Sequence, residues 1–156
     1  MNSANFTNIK HMVGVNEWHF EWCTKYRYNC MRNPNVNKEI EKLIRQAAEE
    51  HKIVIKEMAV AVDHIHISAA IPFTMSPCSA LHLLKGRSAY LTFRRFPNFR
   101  KRYPKGHFWS KGKFGRSMSG VISTVVDGYI ENQQFDKLSE SIKHAEIEQK
   151  NILNYF

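Results

Sequence analysis

The chain has 156 residues, 43% of them hydrophobic, which suffices for one domain with its own core. No apolar run reaches the roughly 18 to 20 residues that cross a membrane, and the first ten residues contain no hydrophobic signal segment. The sequence therefore predicts a cytoplasmic protein with no membrane partner. Its three cysteines include no Cys-x-x-Cys pair, which argues against a disulfide framework or a zinc knuckle.

Positive charge is concentrated in the middle of the chain. The net charge is +9, and no Asp or Glu occurs between His64 and Val126. A basic region of this kind is typical of a protein that binds a polyanion, and nucleic acid is the partner it predicts. Aromatic residues interleave with the cations, and exposed ones would stack on unpaired bases. The predicted nucleic-acid contacts are Lys85, Arg87, Arg94, Arg95, Arg100, Lys101, Arg102, Lys105, Lys111 and Lys113.

The first half of the chain alternates strand and helix patterns. Residues 1–10 predict a loose leader, and residues 13–24 predict a strand because polar and aromatic residues alternate along them. A helix is predicted over 37–51, capped by Asn37, because its apolar residues repeat at helical spacing. Two β-rich runs follow almost without a gap, at 53–60 and 62–71, and indicate a tight hairpin.

The second half begins with a second helix pattern. Ser76 is placed to cap this helix and Pro77 to occupy its first turn, and the apolar residues continue to about Phe96. The remaining predicted segments are a basic loop at 97–106, a strand or ribbon at 106–118, a helix at 119–134 and a mostly polar helix at 136–156.

This order of elements, β-α-β-β-α-β-α, defines the expected fold. A pair of strands between two crossover helices is the split βαβ arrangement of ferredoxin-like and RRM-like domains. We therefore predict an α+β fold with an antiparallel sheet, helices on one face and an additional C-terminal helix that carries Tyr129. The predicted domain spans 11–135, and 136–156 form a C-terminal extension.

Two histidines lie two positions apart in the second strand of the predicted hairpin. Side chains at this spacing share one face of a strand, so His64 and His66 point together while Ile65 points to the opposite face. Two neutral imidazoles so placed can share one divalent ion. Asp63 is expected on the other face, outside the ligand set. The alternative is a pair of surface histidines on an open sheet face.

A tyrosine and an amide occupy one face of the predicted helix at 119–134. Tyr129 and Gln133 are four residues apart, which places them on adjacent turns. A phenol beside a metal-bound phosphate can attack phosphorus and form a covalent phosphotyrosine, and the amide oxygen can bind the same metal. The alternative is a tyrosine that only packs against neighbouring residues.

These residues resemble a known family. The sequence is similar to the HUH-type single-tyrosine transposases (TnpA type) of bacterial and archaeal insertion sequences, which move as single-stranded DNA. HUH denotes two histidines around one hydrophobic residue. The similarity covers roughly residues 11–135 and is carried by Trp22-Cys23-Thr24-Lys25-Tyr26-Arg27, Asp63-His64-Ile65-His66, Leu84-Lys85-Gly86-Arg87-Ser88, Gly106-His107-Phe108-Trp109-Ser110 and Tyr129-Ile130-Glu131-Asn132-Gln133.

The resemblance implies a site and a mechanism. His64, His66 and Gln133 would bind Mg²⁺ or Mn²⁺, and Tyr129 would be the catalytic nucleophile that forms a 5′-phosphotyrosine intermediate. The enzyme would be a metal-dependent single-strand DNA endonuclease and strand transferase. The resemblance also implies a homodimer in which the tyrosine helix of one chain can complete the active site of the other, with placement in cis or in trans left open, and a substrate with DNA hairpins at the element ends.

Two departures from the family pattern accompany the resemblance. Ser68-Ala69-Ala70 replaces bulkier apolar residues after the histidine pair, and Gly128 replaces a stronger helix former before the tyrosine.

Three other functions stay open at the level of sequence. One is a domesticated relative that processes palindromes in its host genome. A second is a non-catalytic, RRM-like nucleic-acid-binding protein, although the RRM aromatic pattern is missing from the expected strands. The third is a metal phosphodiesterase that uses water in place of Tyr129 as nucleophile.

Overall fold

The computed structural model describes residues 7–9 and 12–118. A short antiparallel pair opens the chain, with β1 at Thr7–Ile9 and β2 at Met12–Gly14. Strand β1 lies within the segment predicted as a loose leader, so three of those residues are paired. The helices predicted at 119–134 and 136–156 lie outside the described residues, and with them Tyr129 and Gln133.

The main sheet has four antiparallel strands, which are β3 at Glu17–Cys23, β4 at Val54–Val60, β5 at His64–Ala70 and β6 at Phe114–Ser117. Their order across the sheet is β4-β5-β3-β6. The middle strands of this order, β5 and β3, are paired over their whole length. Within this sheet β3 comes first in sequence and β6 last, and these two strands are neighbours. The hairpin strands β4 and β5 lie on the other side of β3, so this is the predicted ferredoxin-like order.

Two long helices cover one face of the sheet. Helix α1 spans Pro34–Glu50 and helix α2 spans Pro77–Arg95, and the two pack against each other. A third, short helix, α3 at Phe99–Arg102, lies in the segment predicted as a basic loop. The predicted α+β class, with its antiparallel sheet and helices on one face, is confirmed.

The core lies between this sheet face and the two helices. Phe20, Ile65 and Ile67 from the sheet and Ile44 and Leu84 from the helices are each 0% exposed. Burying an aliphatic or aromatic side chain of this size contributes roughly 1.5–3 kcal/mol, so the core holds the two central strands firmly against the helices. The opposite face of these strands is thereby placed precisely enough to carry a site.

The start of α1 corrects one prediction. Asn33, not Asn37, caps the helix: its side chain accepts a hydrogen bond of 2.9 Å from the backbone N–H of Asn35. Asn37 lies inside the first turn, and its side chain donates to the carbonyl oxygens of Met31 (3.3 Å) and Val60 (2.8 Å). The prediction was wrong because Asn37 serves a tertiary contact that helix spacing cannot reveal.

The strand predicted at 106–118 is shorter than expected. Of this predicted segment, the residues of β6 pair with β3, and an isolated bridge joins Thr24 to Trp109 upstream of β6. Gly115 lies close to the core, since a Cβ atom there would be 3.3 Å from the ring of Phe20, a tighter contact than is usual. A residue without a side chain at this position therefore favours the close approach of β6 to the core.

No helix within the described residues combines the length and the apolar character needed to cross a membrane.

We expect Asn37→Ala to lower the free energy of unfolding by about 1–3 kcal/mol, because two carbonyl oxygens that join α1 to the preceding turn and to β4 lose their donor. Asn35→Ala is the matched control, since the same exchange is made in the same helix at an exposed position. It should change stability by no more than about 0.5 kcal/mol. Urea unfolding followed by circular dichroism measures both, and equal effects would contradict the role given to Asn37.

Candidate metal centre and nucleic-acid surface

The candidate site lies on the face of the sheet opposite to the helices. In the antiparallel pairing of β3 with β5, Cys23 is opposite His64 and Glu21 is opposite His66. Directly paired residues project from the same face, so both predicted histidines stand beside polar residues of β3. Ile65 and Ile67 project to the core face, as predicted.

His64 is oriented by a carboxylate. Its Nδ1 atom lies 2.6 Å from Oδ1 of Asp63, and Oδ2 of Asp63 lies 3.0 Å from Nε of Arg27. Such contact with a carboxylate assigns the ring proton to Nδ1 and leaves the lone pair of His64 on Nε2. The sequence predicted that Asp63 is not a metal ligand, and the structure shows that it contacts the predicted ligand His64 directly.

His66 is buried, with 1% of its surface exposed. Burial, followed by the neighbouring charges of His19 and His64, lowers the pKa of His66 to about 2. The ring is therefore neutral at physiological pH and keeps one lone pair for a ligand. Its Nε2 atom has no hydrogen-bond partner among the described residues. An orphaned, buried, neutral imidazole nitrogen suits a metal ion, and burial rules out an exposed surface pair.

The structure brings the two predicted histidines together. Their ring centroids are 5.1 Å apart and the rings are nearly perpendicular, at 83°. The other two predicted site residues, Tyr129 and Gln133, lie outside the described residues, so their roles stay predictions.

Two residues that sequence reasoning did not assign complete a cluster around His66. Nδ1 of His66 lies 3.3 Å from Nε2 of His19 and 3.7 Å from Oε2 of Glu21. Within the described residues, these three side chains form a group whose possible ligand atoms all lie within 4.8 Å of one another. The polar alternation along β3 was visible in the sequence, but its register against the histidine strand was not.

Lys85, a predicted nucleic-acid contact, is engaged inside the protein. Its amine donates hydrogen bonds to the carbonyl oxygens of Ser110 (2.7 Å) and Gly112 (3.0 Å). Burial, and then the charge of Lys113, lower the pKa of Lys85 to about 8. Lys85 therefore holds the chain that leads into β6, and its bonds compete with any contact to phosphate.

Two further predicted contacts have acidic partners. The guanidinium of Arg87 bonds both carboxylate oxygens of Glu50, and that of Arg95 lies 3.1 Å from a carboxylate oxygen of Glu39. Both pairs join α2 to α1. Half-exposed pairs of this kind are worth little in stability, but they reduce the positive charge available on this side of α2.

The other predicted contacts are exposed. Arg102 lies over the ring of Tyr28 at 4.9 Å, and Arg100 lies over the ring of Phe93 at 4.7 Å. Arg94 donates a hydrogen bond of 3.0 Å to the hydroxyl of Tyr90. Exposed cations that are not committed to a carboxylate are the ones best able to meet a phosphate backbone. The exposed members of the predicted set are Arg94, Arg95, Arg100, Lys101, Arg102, Lys105, Lys111 and Lys113.

Most aromatic residues of the basic stretch belong to the core; only Tyr90, at 49%, is an exposed large hydrophobic. A second exposed set, which sequence reasoning did not single out, follows β3. Tyr26 is 60% exposed, and its ring contacts that of Tyr28 in a tilted arrangement with centroids 5.5 Å apart. Tyr28 in turn lies 5.6 Å from Tyr103. We call Tyr26, Tyr28 and Arg102 the tyrosine platform.

The tyrosine platform is joined to the histidine site through the chain itself. Arg27, between the two tyrosines, binds the same Asp63 that orients His64. Tyr26 has a positive φ of 61°, a strained conformation for a bulky residue that turns the chain sharply at the end of β3. An exposed aromatic surface therefore lies next to the strand that carries the histidines.

The comparison with known proteins identifies the family. The model of the family described as "Transposase IS200 like" matches residues 13–133, well over half of the chain. The chain therefore belongs to the IS200-like transposases, which confirms the resemblance seen in the sequence. Membership implies DNA cleavage and strand transfer in DNA transposition.

Two curated relatives support this assignment. The transposase for insertion sequence element IS200 of Salmonella typhimurium is 26% identical over 127 residues, which cover 81% of this chain and 82% of that protein. The ISDra2 transposase TnpA of Deinococcus radiodurans is 25% identical over 117 residues, which cover 75% of this chain and 83% of the relative.

Two solved structures share the fold. A putative transposase from Deinococcus radiodurans superposes with a TM-score of 0.67 at 24% identity, covering 81% of this chain and 97% of that one. A REP-associated tyrosine transposase bound to a REP hairpin superposes with a TM-score of 0.55 at 11% identity, covering 84% and 74%. At these identities the likeness concerns the fold.

We expect the metal-free protein to lose stability as the pH falls below about 6.5. The pKa of His66 is lower in the folded chain than in the unfolded chain, so only the unfolded chain takes up this proton. His66 should therefore contribute a decline in the free energy of unfolding that approaches about 1.4 kcal/mol per pH unit.

Denaturant unfolding between pH 6.5 and 5, in the presence of a chelator, measures this decline. His66→Gln removes the titrating group and should leave a visibly smaller slope. An identical slope in both proteins would show that His66 is not held neutral by the fold.

Proposed function

We propose that this transposase cleaves and rejoins single-stranded DNA at the ends of an insertion sequence, through a 5′-phosphotyrosine intermediate on Tyr129. Family membership supports the class of reaction. The observation that carries the finer proposal is His66, buried and neutral beside His64, with an orphaned Nε2 atom. A non-catalytic nucleic-acid-binding sheet has no use for such a group, which costs stability unless a ligand satisfies it.

The donor set fits a divalent metal ion. His64 and His66 each keep a lone pair, and Gln133 is the predicted third protein ligand. Bound there, Mg²⁺ or Mn²⁺ would polarise the scissile phosphate and neutralise the charge that develops on it. Asp63 would keep His64 in the tautomer that binds metal, and Arg27 would keep Asp63 in place.

Tyr129 supplies the nucleophile in this proposal. Its phenolic oxygen attacks phosphorus in line, a new P–O bond forms to tyrosine, and the bond to the 3′-oxygen breaks. The proton lost by the phenol balances the one gained by the departing 3′-hydroxyl. Because one phosphodiester replaces another, a different 3′-hydroxyl can reverse the step and join new strands without ATP.

The proposed DNA surface combines the exposed cations with the tyrosine platform. Arg100, Lys101 and Arg102 lie together on α3, and Arg102 also covers Tyr28. Cations next to exposed aromatic rings are the arrangement that binds unpaired nucleotides. We propose single-stranded DNA with hairpins at the element ends as the substrate. The structural relative bound to a REP hairpin supports this partner.

The assembly and location of the protein are proposals as well. The family resemblance supports a homodimer in which Tyr129 of one chain completes the site of the other, and a single domain over 11–135. Since the proposed substrate is the cell's own DNA, we propose that the protein acts in the cytoplasm.

Tyr129→Phe should abolish covalent attachment to DNA, because only the hydroxyl oxygen is removed. The measurement is a denaturing gel of the protein with a labelled hairpin oligonucleotide from the element end, with and without Mg²⁺ or Mn²⁺. Tyr90→Phe is the matched control, an exposed tyrosine on α2 that should keep the adduct. Metal-dependent cleavage that persists in Tyr129→Phe would instead indicate water as the nucleophile.

Tyr26→Ala should weaken binding of a single-stranded oligonucleotide by about 5- to 150-fold, since stacking on an aromatic ring is worth about 1–3 kcal/mol per base. Tyr26→Phe keeps the ring and should bind within about twofold of the original protein. Fluorescence anisotropy at fixed salt measures both variants, and a fully paired duplex provides the reference ligand. Equal weakening by the two variants would show that the ring does not stack on a base.

A further inference from the structure

The cluster around His66 has the dimensions of a cation site. Nε2 of His19, Oε2 of Glu21 and Nδ1 of His66 are separated by 3.3, 3.7 and 3.9 Å. The circle through three points at these separations has a radius of about 2.1 Å, so one point is equidistant from all three atoms. That radius equals the bond lengths of about 2.0–2.2 Å that zinc makes to imidazole nitrogen and carboxylate oxygen.

The donors of this cluster indicate which cations it would take. Two imidazoles and one carboxylate suit transition ions such as Zn²⁺, Co²⁺ and Mn²⁺, whereas Mg²⁺ prefers oxygen ligands. The backbone also holds the cluster rigidly. Glu21 on β3 is paired with His66 on β5, and His19 lies two residues before Glu21 on the same face of β3. Three ligands held on one rigid sheet lose little entropy when an ion binds.

We propose that His19, Glu21 and His66 form a divalent transition-metal site of their own, which shares only His66 with the catalytic site proposed above. His64 is not a member of this cluster. The two sites lie on opposite nitrogens of one ring, with Nδ1 in the cluster and Nε2 directed elsewhere.

Sharing one ring makes the two sites exclude each other. A neutral imidazole has one lone pair, so an ion on Nδ1 places the ring proton on Nε2 and withdraws that atom from the catalytic ion. A transition ion in the cluster would therefore inhibit a reaction that Mg²⁺ supports. This consequence rests on the proposed function, whereas the binding of the ion does not.

The site is tested with Co²⁺, whose visible absorption reports its coordination, on the metal-free full-length protein without DNA. Glu21→Gln exchanges a charged carboxylate donor for a neutral amide, and His19→Gln exchanges an imidazole for an amide. Each should weaken Co²⁺ binding at least about tenfold, a loss already typical of residues that only orient metal ligands. His64→Asn should bind Co²⁺ within about twofold of the original protein. Thermal unfolding shows that each variant is folded, and two donor variants keep the test available if one is not.

The outcomes separate the two sites. Weakening by the Glu21 and His19 variants together with retention in His64→Asn supports the cluster. Loss of Co²⁺ in His64→Asn, unchanged binding in the other two, or no Co²⁺ binding at millimolar concentration overturns it. None of these results depends on whether the protein cleaves DNA, so failure here is distinct from failure of the proposed function.

The exclusion is tested separately in the DNA cleavage assay. Zn²⁺ added to reactions that contain Mg²⁺ should reduce adduct formation, and Glu21→Gln should raise the Zn²⁺ concentration needed by at least about tenfold. Adduct formation with Zn²⁺ is compared with adduct formation without Zn²⁺ in the same protein, so an effect of the substitution on the basal rate cancels. The same Zn²⁺ sensitivity in both proteins would overturn the exclusion.

Discussion

The antiparallel pairing of β3 with β5 is the constraint on which the candidate site depends. Seven consecutive pairs hold Glu21 opposite His66 and Cys23 opposite His64. A shift of one residue would turn every polar side chain of β3 into the core and bring its aromatic residues out. Because Phe20 and Trp22 are buried between the sheet and the helices, that shift is costly. The hydrophobic core thus determines the position of the polar cluster on the other face.

Burial of a neutral histidine has consequences for both stability and chemistry. A charged imidazole would have to leave water at high cost, so the fold keeps His66 in its unprotonated form. The same state is the one that binds a metal ion. His64 is positioned differently, because Asp63 contacts its Nδ1 atom and orients the ring at the start of β5. One histidine is prepared for a ligand by exclusion of water and the other by a carboxylate that orients its ring.

Much of the fold could be predicted from local sequence patterns, because helix caps and the alternation of side chains along a strand depend on residues close together in the chain. Ser76 caps α2 as predicted, since its side chain accepts from the N–H of Ser79 within one turn. The common face of His64 and His66 follows from strand geometry alone. The cap of α1 and the cluster with Glu21 could not be obtained in this way. Asn37 bonds a carbonyl on β4 and Glu21 meets His66 across two strands, and both contacts arise only after distant segments pair.

Charge along the chain does not by itself show which cations stay available to a polyanion, for a physical reason. A sequence without acids between His64 and Val126 still meets acids from elsewhere once α1 packs against α2. Glu39 and Glu50 form ion pairs with two of the predicted cations, Arg95 and Arg87, and a backbone carbonyl oxygen accepts a hydrogen bond from Lys85. The predicted cations that stay exposed and uncommitted to a carboxylate are Arg94 near the end of α2 and those on α3 and in the segment between α3 and β6. The DNA surface proposed here therefore lies toward the tyrosine platform and the histidine strand, where the proposed cleavage would occur.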